Sequence, residues 1–258
     1  MTKERKILLF VTTAFIAIAL GLLAYGRISQ PDEYHHFADT RLLWGIPNFW
    51  NVITNVGFLV AGYCGLYIFG TLLNKELQRD GKSALLVFAF GSIGVAGGSA
   101  LYHAFPSSET LVWDRLPMTV CFAAIIAEFV ATHISTARAK LVLFGALIFS
   151  VGSVVYWKWT GLYGVDDLRP YVITQFFPIF IGVTTALFFH HGERWSPNWT
   201  RAVLWYGSAK VLEYFDSAVY LATSEIVSGH SLKHIASGIA CYYVLRAMRE
   251  RRIAADHS

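Results

Sequence analysis

Long apolar blocks alternate with short polar connections along this chain, and the lengths of the blocks carry the first information. A helix rises about 1.5 Å per residue and needs roughly 20 apolar residues to cross the hydrocarbon core of a bilayer. By that rule eight blocks qualify, at 7–25, 49–73, 84–103, 111–133, 141–157, 171–190, 202–222 and 232–245. The last is short unless its helix begins at His230, and the fifth is near the lower limit. The longest polar connections, 26–48, 74–83, 158–170 and 191–201, are too short to fold alone. The pattern predicts an all-α, polytopic membrane helix bundle with no inverted internal repeat and no low-complexity segment.

Composition supports that reading. The 258 residues are 55% hydrophobic and 15% charged, with a mean hydropathy of +0.47, whereas a soluble domain carries about 25% charge. Lys and Arg favour cytoplasmic loops. With eight spans and a cytoplasmic N-terminus, fourteen of the 21 basic residues fall inside and five outside, while Lys210 and Lys233 lie within or at the edge of spans. Both termini are therefore expected in the cytoplasm. The net charge of +4 is a topology signal and not a nucleic-acid signature. Short loops and tails are compatible with a bacterial plasma-membrane protein.

The first block follows TKERK, as in a signal sequence. About 19 apolar residues is long for a cleaved segment, and LLAYGRIS lacks a small-x-small site, so the reading is a retained anchor helix over 1–30 followed by one unit over 31–258. Cys64, Cys121 and Cys241 fall in apolar blocks without metal-ligand spacing and read as buried small hydrophobes.

Ionisable residues inside spans are costly and mark sites of binding or chemistry. Threaded through the predicted topology, Ser99 and His103 (GSALYHAF), Asp114 (WDRLP), Glu213 and Asp216 (KVLEYFD), and His230 and His234 (HSLKH) all collect on the non-cytoplasmic side. Positions four apart share a helix face, so Ser99 lies with His103 and His230 with His234. Two imidazoles on one helix and a third from another match a zinc site with three protein ligands and an open position, as in catalytic centres. Asp114 is then the candidate to accept a proton from the activated water, and Ser99 to steady an oxyanion. A polar interhelical network without metal is the alternative. Glu213 and Asp216 either orient the imidazoles from outside or pair with Lys210. Gly94 and Gly98 form a G-x-x-x-G that allows close helix approach. His35, His36, His190 and His191 flank spans and are not read as ligands.

NFWNVITNVGF, then GGSALYHAF with DRLPM beginning eleven residues after its His, then HSLKHIASG together resemble the alkaline ceramidases. These belong to a superfamily of seven-helix intramembrane hydrolases that also holds adiponectin-type receptors. The resemblance covers about 48–238, strong in three short motifs and faint between them. It implies a seven-helix core with the first span as an N-terminal addition. It also implies zinc on His103, His230 and His234, water activation by Asp114, oxyanion support from Ser99, and hydrolysis of the amide of ceramide or another N-acyl lipid.

There are departures from the family pattern. Arg115 stands where D-E-L-P-M has its acid, and Leu232 and Lys233 replace the two tryptophans of H-x-W-W-H. Lys233 would place positive charge near the pocket mouth, which puts the headgroup of ceramide in doubt. Animal members bind calcium with an acidic cluster before F-W-N; here only Asp39 and Asn48 align with it, so calcium is allowed but not required. A receptor-like protein of the same fold without turnover competes with the hydrolase, and a proton or solute pathway is a third reading. Intact Asp114 and Ser99 speak against the receptor, and clustering on one membrane side against the pathway. The lipid partner's headgroup and the oligomeric state stay open.

Overall fold

The computed structural model describes residues 2–74, 82–188 and 196–256. It is all-α: α1 (Lys3–Tyr25), α2 (Phe49–Ile53), α3 (Val56–Asn74), α4 (Lys82–Ala104), α5 (Leu111–His133), α6 (Thr136–Gly161), α7 (Arg169–Phe188), α8 (Pro197–Tyr214), α9 (Asp216–Ala222) and α10 (Gly229–Asp256). Among the described residues there is no strand, only an isolated bridge between Leu43 and Ile46. Five segments are long and apolar enough to cross a membrane: Lys3–Tyr25, Phe49–Leu72, Lys82–Ala104, Leu111–His133 and Thr136–Gly161. That is the architecture of a multi-pass membrane protein.

The expected spans differ from the helices in ways that have local causes. The block at 49–73 is broken at Thr54 and Asn55. Thr54 Oγ1 donates to the Trp50 carbonyl at 2.6 Å, and Asn55 Nδ2 donates to the Asn51 carbonyl at 2.7 Å. Side chains that bond back to carbonyls one turn earlier compete with the regular ladder and bend it. The block at 202–222 is interrupted at Phe215, between α8 and α9. The final block, expected over 232–245, is longer at both ends and takes in His230. The end of the expected span 171–190, with His190 and His191, and residues 75–81 and 191–195 of the connections 74–83 and 191–201 lie outside the described residues.

Neighbours pack in the sequence α8, α10, α3, α4, α5, α6, α7, with α1 lying against α7. The main core joins α3, α4, α5 and α10 around Leu85, Phe88, Leu245 and Met248. Only a narrow stripe of α1 touches the bundle: Ile7 is buried with Phe129 and Ile181, and Phe15 meets the Phe177 ring edge-on at 5.3 Å. The α4–α5 pair is the tightest where the glycines fall. A Cβ on Gly94 would sit 2.8 Å from Pro117, and one on Gly98 only 1.9 Å from the Trp113 carbonyl oxygen. This approach places the end of α4, bearing Ser99 and His103, directly against the start of α5, bearing Asp114. At the opposite end of α5, Glu128 is buried and gripped by Arg251 and Arg252 of α10 at 2.6 and 2.9 Å.

Candidate metal centre

The end of α4 and the start of α10 bring three histidines together. His103, His230 and His234 are all buried, and their candidate ligand atoms lie within 4.8 Å of one another. Ring centroids are 4.7 Å apart for His103–His230 and for His103–His234, and 5.0 Å for His230–His234. His103 Nε2 and His230 Nε2 are separated by 3.3 Å. Two ligand atoms on a tetrahedral ion with bonds of roughly 2.0–2.1 Å lie about 3.3–3.4 Å apart. The pair already has the spacing of two ligands on one ion.

The third imidazole is oriented by a proton count. Thr54 spends its only hydroxyl proton on the Trp50 carbonyl, yet its Oγ1 lies 3.1 Å from His234 Nδ1. The oxygen must therefore accept, so Nδ1 carries the proton. His234 Nε2 is then a bare lone pair, buried and without a partner. A buried acceptor left unmatched is costly, and a metal ion in the cluster would satisfy it. The residues fit a metal: three neutral nitrogen donors of the kind that zinc, copper, iron and nickel all accept. His103 Nδ1 also has no protein partner.

The surroundings hold the backbone of this cluster in place. Asp216, which starts α9, accepts from the His230 amide at 2.7 Å and from the Ala38 amide at 3.0 Å. It thus acts on His230 through the main chain and not through the imidazole. Ser228 caps α10 by accepting from the Ser231 amide at 3.0 Å, and Ser231 Oγ donates to Asn51 Oδ1 at 2.8 Å. The close approach at Gly229, where a Cβ would lie 2.2 Å from the Leu212 carbonyl, fits α10 against α8. Asn48 donates to the His103 carbonyl at 2.8 Å. Phe37 covers the cluster, with its ring 4.8 Å from His103 and 4.7 Å from His230.

Other expected site residues fall as follows. Asp114 and Ser99 are both buried and line the same cavity. Glu213 is committed to lysines, with Oε2 2.7 Å from Lys210 Nζ and Oε1 2.5 Å from Lys233 Nζ. The pairing with Lys210 is therefore the arrangement present, and Glu213 spends both oxygens there and not on an imidazole. Lys233 lines the cavity and shares the single Glu213 carboxylate with Lys210. The two residues of the calcium option each have a protein partner. Arg41 takes both Asp39 oxygens, at 2.8 and 2.5 Å, and Asn48 turns to the His103 carbonyl. Asn51, Thr54, Phe37 and Ser228 were not singled out by sequence. Asn51 and Thr54 lie inside NFWNVITNVGF, where two buried-type polar residues in an apolar span were the available signal.

A cavity of about 370 Å³ leads away from the centre. Its polar end is formed by Ser99, Asp114, Arg115, Glu213, Lys233 and His234. From there it follows one face of α5 through Met118, Phe122, Ile125 and Phe129. Asp114 to Phe129 is roughly 22 Å at the helical rise. The walls from α7 and α8 are bridged by Gln175 Nε2 donating to the Tyr206 hydroxyl at 3.1 Å. No known protein-family model matches the chain, and no curated protein matches it significantly.

Proposed function

We propose that the protein is a zinc-dependent intramembrane amidase that hydrolyses ceramide or a related N-acyl lipid to a fatty acid and a free amine, as its resemblance to the alkaline ceramidases implies. One observation carries the reading: a buried three-histidine cluster meets, through His234, the polar end of a long apolar cavity that a buried carboxylate, Asp114, and a buried serine, Ser99, also line. An acyl chain suits the apolar length and an amide suits the polar end. His103, His230 and His234 would hold the ion. Zinc bound there would polarise the amide carbonyl and acidify the attacking water. Asp114 takes the proton from that water and returns it to the departing amine nitrogen, so that C–N cleavage yields a carboxylic acid and a neutral amine. Ser99 donates a hydrogen bond, and its neighbours at the tight α4–α5 contact keep it from shifting during the reaction. The proposed setting is a bacterial plasma membrane with both termini in the cytoplasm and the site towards the other side.

The test is fatty-acid release from a panel of N-acyl lipids by detergent-purified, zinc-loaded protein, with zinc content measured beside it. About one zinc per chain and release of acid is expected, and His230→Ala should lose both. Bound zinc with no release from any lipid in the panel would replace the hydrolase with the receptor-like reading.

A further inference from the structure

Arg115 is a buried cation without an anion. It follows Asp114 in the first turn of α5, is 4% exposed, and belongs to the cavity wall. Its guanidinium stacks over Trp157 at 4.3 Å and Tyr171 at 4.7 Å, with Tyr34 at 5.7 Å. Nη2 donates to Gln30 Oε1, and Nη1 has no acceptor. Arg115 forms no ion pair among the described residues, whereas Lys210 and Lys233 share Glu213. The cavity is thus lined by three cations (Arg115, Lys210, Lys233) and two carboxylates (Asp114, Glu213). One positive charge is left over before any metal is added. An uncompensated buried charge is costly, and a buried donor without an acceptor points to a missing partner. Aromatic faces offset part of that cost and hold the planar fork still. They supply no acceptor to Nη1.

Resting on the amidase reading, we propose that Arg115 selects the substrate: the polar end of the cavity takes a lipid amide whose headgroup carries an oxyanion, a carboxylate or a phosphate, paired with the Arg115 guanidinium. Arginine is suited to this because its fork matches either group with two parallel hydrogen bonds, and it stays charged when buried. The acyl chain then lies along α5, with the anion beside the Asp114 end of the cavity and the amide between them. The neutral headgroup of ceramide offers hydroxyl oxygens as acceptors but no charge to balance the guanidinium.

The test is binding to full-length, metal-free protein in nanodiscs of uncharged lipid, which needs no catalysis. N-dodecanoylglycine is compared with N-dodecanoylethanolamine, the same amide without the charge, and with inorganic phosphate alone. The wild type is expected to bind the glycine lipid about tenfold more tightly or better, and Arg115→Gln to bring the ratio close to one. Equal affinities in the wild type would overturn the proposal, as would an undiminished ratio in Arg115→Gln. Inorganic phosphate binding as tightly as the acyl anion would overturn the assignment to a lipid headgroup. Should Arg115→Gln not fold, Arg115→Lys keeps the charge and loses the fork. Its preference is expected to fall severalfold, and an unchanged preference would count equally against the proposal. With the zinc-loaded protein assayed in parallel, anion preference in binding without hydrolysis of any lipid in the panel would leave Arg115 as an anion site and remove the amidase. Hydrolysis of both lipids at equal rates would do the reverse.

Discussion

Thr54 Oγ1 lies 3.1 Å from His234 Nδ1 and gives its own proton to the Trp50 carbonyl, so a break in one helix fixes the tautomer of a histidine on another. Groups that hold the far nitrogen of a metal-bound imidazole are worth about 10–100-fold in metal affinity. Thr54→Val keeps the shape and removes the acceptor. Competitive chelator titration is expected to show weaker zinc binding by that factor, with Thr54→Ser close to wild type. Equal affinity for Thr54→Val would show that His234 is oriented by something else.

Gly98 sets the distance between the residues proposed to act on the substrate. An added Cβ would meet the Trp113 carbonyl at 1.9 Å, and a backbone atom cannot swing aside as a side chain can. Gly98→Ala is expected to cost about 1–3 kcal/mol or more, seen as a lower melting temperature, and to impair hydrolysis by moving Ser99 away from Asp114. Gly97→Ala is the control, because nothing lies within 4 Å of its Cβ position.

Asp114→Asn removes the proton acceptor while keeping the size of the side chain. Hydrolysis is expected to fall by about 10²–10⁴-fold, with zinc content and melting temperature near wild type. Retained turnover would assign the proton transfer to another group.

Glu128 is buried between Arg251 and Arg252 at the end of the bundle away from the histidines. Removing one partner of a buried ion pair strands the other charge, at about 3–5 kcal/mol. Glu128→Ala is therefore expected to lower the unfolding midpoint in denaturing detergent while the surviving folded fraction binds zinc as before. A loss of zinc affinity in folded protein would mean that this end is coupled to the centre.

The apolar blocks of the sequence determined the class of fold, because a chain without water around it must satisfy its backbone within helices. Four-residue spacing likewise paired Ser99 with His103 and His230 with His234, since helical periodicity is local. The meeting of those two pairs is a different matter. It depends on the approach at Gly98 and on the hold that Asn51, from 180 residues earlier in the chain, has on Ser231 at the start of α10. The break at Thr54 and Asn55 was hidden because hydropathy averages over a window, while the break turns on two polar side chains. Charge partners were decided only in three dimensions. Lys233 found Glu213 and Asp39 found Arg41, while Arg115 was left among aromatic rings, because a charge is neutralised by what lies within a few ångströms of it and sequence does not record that distance.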